Sequence, residues 1–276
     1  MKAFHTLRTH EKNFSMQDFE LLTLILSALE WKKFNGTIKL VTDQIGAEYF
    51  QKLGIIEIYD EIEIFLDEID TLNIDEKIFW AGAKLFALQR QKSPCVMIDL
   101  DFIVWQKLNF EPFKNNVTVI HFETVNNYIY PPADHFRFKN NFKFPPALDW
   151  TIPACNTAFA YFGANDLIQK YCNFAFEFMQ SVDNYNAGLT HMVFAEQRWL
   201  SMCAKLMNRK IFELSSLDDL FSDRQKYFTH IWGHKQKFRD DRSLAEKFCN
   251  DCAKRLKKDF PNEFEKFQLK EWFKYQ

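Results

Sequence analysis

The chain has 276 residues, 47% of them hydrophobic and 26% charged, the composition of a soluble globular protein with one large domain or two small ones. Its formal net charge of −2 gives no electrostatic case for nucleic acid binding. Seven glycines with no GxGxxG or GxxxxGKS spacing exclude the glycine-rich phosphate loops.

No hydrophobic signal region opens the sequence, and no apolar run approaches the roughly 18 residues that span a bilayer. A cytoplasmic protein is expected. The basic run KRLKK at 254–258 reads as a solvated helix face, with a peripheral membrane contact left open. Six cysteines, several in apolar runs, suit reduced buried thiols, and the lone CxxC at Cys249 and Cys252 has no second pair to form a zinc site. Phenylalanine is over-represented, with 31 copies, which suggests aromatic surface besides the core.

The elements alternate. KAFHTL reads as a first strand, residues 16–34 as a helix with Gly36 beyond its end, TIKLVTD as a strand, and residues 44–54 as a helix ending at Gly54. A strand is expected within 57–65. Residues 75–91 carry an acidic start and a basic finish that suit a long helix dipole, and Ser93-Pro94 ends it before the strand CVMIDLD. This order predicts an α/β fold, a mixed and mostly parallel sheet flanked by helices. VTVIHF is a further strand. Residues 126–153, with five prolines, form a long excursion. Then come the strand CNTAFAYF, helices over 164–180 and 191–207, a short strand KIFEL, a strand or loop over 227–238, and a helical tail from 241. The expected organisation is one domain over 1–239 with a helical extension, 240–276, packed on it.

The stretch CVMIDLDFIVW, Cys95 to Trp105, sets Asp99 and Asp101 two residues apart between apolar walls. In α/β sheets, ligands bind beyond the carboxyl ends of strands. If the strand breaks there, both carboxylates reach a common point. Without a cation they would repel and one would take up a proton. Mg²⁺ or Mn²⁺ removes that cost and keeps positions for substrate phosphates.

VMIDLD resembles the DxD motif of GT-A-fold glycosyltransferases, and three further segments, in order, resemble those of family 8 (and family 32-like) members. CNTAFAYF is similar to the strand carrying an Asn near the sugar, here Asn156. AEQRWL is similar to the acidic-Gln helix start, here Glu196 and Gln197, with Glu in place of Asp. HIWGHKQKF resembles HxxGxxKPW through His230 and Gly233. Gln236 stands where Lys is expected, and the Pro-Trp pair is missing.

The resemblance implies a metal-dependent glycosyltransferase of hexosyltransferase type. It would move a sugar from a nucleoside diphosphate sugar, UDP favoured, to a glycan, lipid-linked or other hydroxyl acceptor, with retention. It implies metal ligands Asp99, Asp101 and His230, with His234 as a second candidate. Lys235 or Lys237 would supply the phosphate contact that Gln236 cannot. Thr6, Arg8 and Lys84 would approach the nucleotide, and Asn156, Glu196 and Gln197 would serve the sugar. For an inverting reaction, Glu196 and Asp149 are the candidate bases. Tyr128, Tyr130 and Trp150 could stack on sugar rings. Two alternatives stand beside this reading. One is a glycosyltransferase-like protein that binds nucleotide or glycan without turnover. The other is a haloacid-dehalogenase-like phosphatase with Asp99 as nucleophile, against which Ile103 and the absence of a GDxxxD motif weigh.

Overall fold

The computed structural model describes residues 1–9, 11–183, 188–220, 222 and 225–275. In chain order the elements begin β1 (Lys2–Leu7), α1 (Asp18–Phe34), β2 (Ile38–Thr42), α2 (Gln44–Leu53), β3 (Glu61–Ile64), α3 (Gly82–Gln89) and β4 (Cys95–Ile98). They continue β5 (Phe102–Val104), β6 (Val117–Val119), β7 (Phe159–Phe162), α4 (Asn165–Ser181), α5 (Leu189–Val193), a π-helical turn (Phe194–Arg198), α6 (Trp199–Leu206), β8 (Ile211–Glu213) and α7 (Leu217–Leu220). The last are β9 (Phe228–His230), α8 (Lys235–Asp240), α9 (Arg242–Asp259) and α10 (Pro261–Gln268). The chain forms two compact units, Met1–Phe65 with Asp99–Leu108 and Lys226–Gln276, and Leu66–Ile98 with Asn109–Gln225.

In the first unit, β2 pairs in parallel with both β1 and β3. Asp43 caps α2 by accepting from Gly46 N at 2.7 Å, and Gly54 ends it at φ 67, the left-handed conformation that glycine adopts without strain. Helix α1 is buried continuously from Leu21 to Trp31. A helix that is apolar all round must be covered all round, and α1 packs against both β5 and α9. Strands β5 and β9 form a separate antiparallel ladder that sets Phe102 opposite His230.

In the second unit, β7 pairs antiparallel with β4 and β6, and β8 adds in parallel to β6. Across the two strand sets the pairing is mixed and mostly parallel, and the α/β class is borne out. The 126–153 excursion packs down: Phe136, Phe144 and Trp150 close on Phe194, at 4.6, 5.6 and 5.7 Å between ring centroids. Many of the phenylalanines are spent in this internal cluster, while Tyr128 is 92% exposed.

One expected element is corrected. The helix read over 75–91 exists only as α3, from Gly82. Upstream, Asp75 Oδ1 accepts from Lys77 N at 3.1 Å, and Gly82 N donates to Phe79 O at 2.7 Å. These local turns compete with helix, as Asp side chains do outside caps. The acidic residues therefore lie outside the helix whose dipole they were expected to complement.

Glu30 of α1 is fully buried against α9, with Lys33 Nζ at 3.6 Å and Arg255 Nε at 3.7 Å. Lys33 and Arg255 also reach Asp259, and Arg255 lies over the Trp105 ring at 4.7 Å. Burial pushes the Glu30 carboxyl up to about 7, the Lys33 charge only partly opposing it. Between 4.5 and about 7 the folded chain then holds a proton that the unfolded chain releases, so this group costs stability as pH rises through that window. Urea denaturation at pH 5 to 8 should show Glu30→Gln removing this slope and gaining roughly 1–3 kcal/mol at pH 8. Parallel curves for the two proteins would refute the assignment.

Candidate metal centre

The strand break between β4 and β5 builds the site. Phe102 N donates to Asp99 O at 3.0 Å, closing a turn over Asp99, Leu100 and Asp101. This turn, rather than strand alternation, lets the two carboxylates converge. The β5–β9 ladder carries His230 beside them, and Ile231 N reaches Asp101 O at 3.4 Å. One ligand atom from each of Asp99, Asp101 and His230 lies within 4.8 Å of the others, the one such cluster found among the described residues.

Asp101 is buried, and its Oδ2 lacks a well-formed hydrogen bond. Beside it lie Lys235 Nζ at 2.8 Å and His230 Nε2 at 3.7 Å. A shielded carboxylate oxygen without a hydrogen bond, in a set of two carboxylates and one imidazole, fits a hard divalent cation such as Mn²⁺ or Mg²⁺. His234, the second candidate ligand, is exposed and turns to Phe238, 6.1 Å between ring centroids.

Behind the turn lies a buried chain that the sequence reading missed. Ser27 Oγ donates to Phe102 O at 2.6 Å, His5 Nε2 is 3.0 Å from Ser27 Oγ, and His5 Nδ1 is 2.9 Å from Tyr59 Oη. With the serine proton committed, His5 Nε2–H donates and Nδ1 accepts from Tyr59. Burial lowers the imidazole to about 3, against the pull of Asp99, so His5 is neutral. Thr6 Oγ1 is shielded and without a hydrogen bond. Arg8 pairs with Asp43 at 3.3 Å, on the carboxylate that also caps α2.

The other predicted residues gather in the second unit. Lys84 Nζ meets Glu196 Oε1 at 2.5 Å and Thr157 O at 3.2 Å, and Thr157 Oγ1 donates to the same Glu196 oxygen at 2.8 Å. Asn156 Nδ2 donates to Glu123 Oε1 at 2.9 Å, and Tyr130 Oη to Gln197 Oε1 at 2.6 Å. Glu196 and Gln197 sit in the π-helical turn, a feature frequent at functional sites. Tyr130 and Trp150 are engaged in packing or hydrogen bonds rather than offered to solvent as stacking faces. Asp149 is half-buried and accepts from Thr151 N and Oγ1, which hold its carboxyl below the usual range and make it a weak base. Glu123, missed in the sequence, had one signal: an acid at the end of the strand VTVIHF.

A family model described as a family of unknown function, DUF6734, matches residues 2–269. The chain belongs to DUF6734. No curated protein matches this DUF6734 sequence. Solved structures similar to it include the PaToxG glycosyltransferase, at 16% identity and TM-score 0.43 over 75% of this chain and 69% of that one. Another is mouse xyloside xylosyltransferase 1 in its apo form, at 9% identity and TM-score 0.44 over 78% of this chain and 85% of that one. Likenesses this distant decide neither the mechanism nor the substrate of the DUF6734 chain. No helix among the described residues is long and apolar enough to cross a membrane.

The Lys84–Glu196 pair is buried, the side chains 12% and 9% exposed. Removing one partner strands the other charge, so Lys84→Met should cost about 3 kcal/mol or more. With Glu196→Gln added, the loss should be smaller than the sum of the single losses by about 1–3 kcal/mol. Denaturant midpoints of the four proteins measure this, and simple additivity would contradict the pairing.

Proposed function

We propose that the chain is a metal-dependent glycosyltransferase of hexosyltransferase type. It transfers a sugar from a nucleoside diphosphate sugar, UDP favoured, to a glycan, lipid-linked or other hydroxyl acceptor, with retention, in the cytoplasm. The observation that carries the reading is the convergence of Asp99, Asp101 and His230 on one point, with an ammonium beside them. Family 8-like motifs in the same order support it.

Asp99, Asp101 and His230 would hold Mn²⁺ or Mg²⁺, which when bound supplies Lewis-acid neutralisation of the leaving diphosphate. Lys235 adds positive charge for the phosphates. Buried, neutral His5 holds the turn through Ser27 without adding charge. Thr6, Arg8 and Lys84 are proposed for the nucleotide, and Asn156, Glu196 and Gln197 for the sugar. The sugar–diphosphate bond breaks with its electron pair going to the diphosphate. The acceptor oxygen bonds the anomeric carbon and gives its proton to the departing diphosphate.

One observation favours a second reading, nucleotide or glycan binding without turnover: Lys84 and Glu196 are paired with each other. Calorimetric titration of UDP, then GDP, with and without Mn²⁺ tests both readings. UDP should bind only with metal, and Asp101→Ala or His230→Ala should weaken it by about tenfold or more. Metal-dependent binding with no hydrolysis or transfer from any UDP-sugar would favour the binding protein. Metal-independent binding, or phosphoester hydrolysis abolished by Asp99→Asn, would overturn the transferase reading.

A further inference from the structure

Lys235 holds the atom that a metal ion needs. Its Nζ is 2.8 Å from Asp101 Oδ2, a carboxylate oxygen that also lies 3.7 Å from His230 Nε2. The Asp101 side chain is 7% exposed, and a buried carboxylate is costly without a counter-charge. With Asp99 and Asp101 ionised and Lys235 charged, the cluster is one negative charge from neutrality. A divalent ion at the same oxygen would face the ammonium at short range and low dielectric, where like charges repel strongly.

The lysine is able to move. It is the first residue of the short helix α8, and its side chain is 34% exposed. A pocket of about 210 Å³ opens beside it, lined by Leu7, Phe14, Ser15, Met16, Glu20 and Leu100 together with Asp101 and Lys235. Lysine is a compact point charge on a flexible stem, suited to exchanging partners.

We propose that Lys235 is a displaceable counter-ion: it neutralises Asp101 in the metal-free site, is expelled when a divalent cation binds, and then serves the phosphates of the incoming diphosphate. This rests on the metal-centre reading and adds to it a built-in competitor for metal. A lysine that is only a phosphate ligand would leave metal affinity unchanged on removal. A displaceable counter-ion gives effects of opposite sign on metal and on nucleotide.

The test is calorimetry with MnCl₂ alone, then with UDP at saturating Mn²⁺, on wild type, Lys235→Met, Lys235→Arg and Lys237→Met. Lys237→Met removes the same charge two positions away, on the exposed side of α8. Lys235→Met should bind Mn²⁺ about tenfold more tightly and UDP about tenfold more weakly. Lys235→Arg and Lys237→Met should stay close to wild type for metal. Amine acylation followed by mass spectrometry gives an independent readout on the unaltered protein: Lys235 should label faster once Mg²⁺ is added. Metal affinity of Lys235→Met equal to or below wild type, equal gains in Lys237→Met, unchanged UDP affinity, or labelling indifferent to bound Mg²⁺ would each overturn the proposal while leaving the metal centre standing. No Mn²⁺ binding by wild type or Lys235→Met would remove the metal centre itself, and this inference with it.

Discussion

The pairing of β5 with β9 is the contact on which the candidate site depends. It sets Phe102 opposite His230, and Trp105 reinforces it by donating from Nε1 to Thr229 Oγ1 at 2.8 Å. A slip of one residue would turn His230 to the opposite face. The register is braced from both sides. Ser27 of α1 holds the Phe102 carbonyl, and Arg255 of α9 covers Trp105. Thus α1, which adds no residue to the cluster, steadies through β5 the ladder that carries His230, and the burial of its apolar circumference follows from that position.

The second unit solves a different electrostatic problem. Lys84, Thr157 and Glu196 form a set in which opposite charges meet locally, and Tyr171 Oη donates to the Glu196 carbonyl within the π-helical turn. Arg198 reaches the carbonyls of Trp150 and Ile152, tying the proline-rich excursion to the same turn. Three adjacent side chains, Glu196, Gln197 and Arg198, thereby each anchor a different partner. This dense satisfaction of buried polar groups is what a low-dielectric setting requires.

Much of the fold was legible because its signals are local. The short strand KAFHTL, the apolar circumference of α1, and Gly54 after α2 each follow from backbone or burial physics within a few residues. The strand break at Asp99 was legible too, since two carboxylates have no place in an apolar strand. What escaped depends on tertiary partners. Asp75 and Lys77 make a turn where dipole reasoning favours a helix. The π-helical turn does not alter the apolar periodicity over 191–207 enough to be seen. The pairing of Lys84 with Glu196 joins residues read separately as nucleotide and sugar ligands, and nothing in their spacing announces it. Glu123 and His5 look ordinary until their neighbours are known.

The first unit is assembled from three separated stretches of chain, and the bond from Trp105 to Thr229 spans 124 positions. Closing so long a loop is entropically unfavourable until the final contacts repay it. Asp99 and Asp101 emerge from synthesis long before His230 and Lys235. The cluster is therefore completed late: a nascent chain exposes its acidic pair without the imidazole or the ammonium until the last stretch of the first unit has joined the rest.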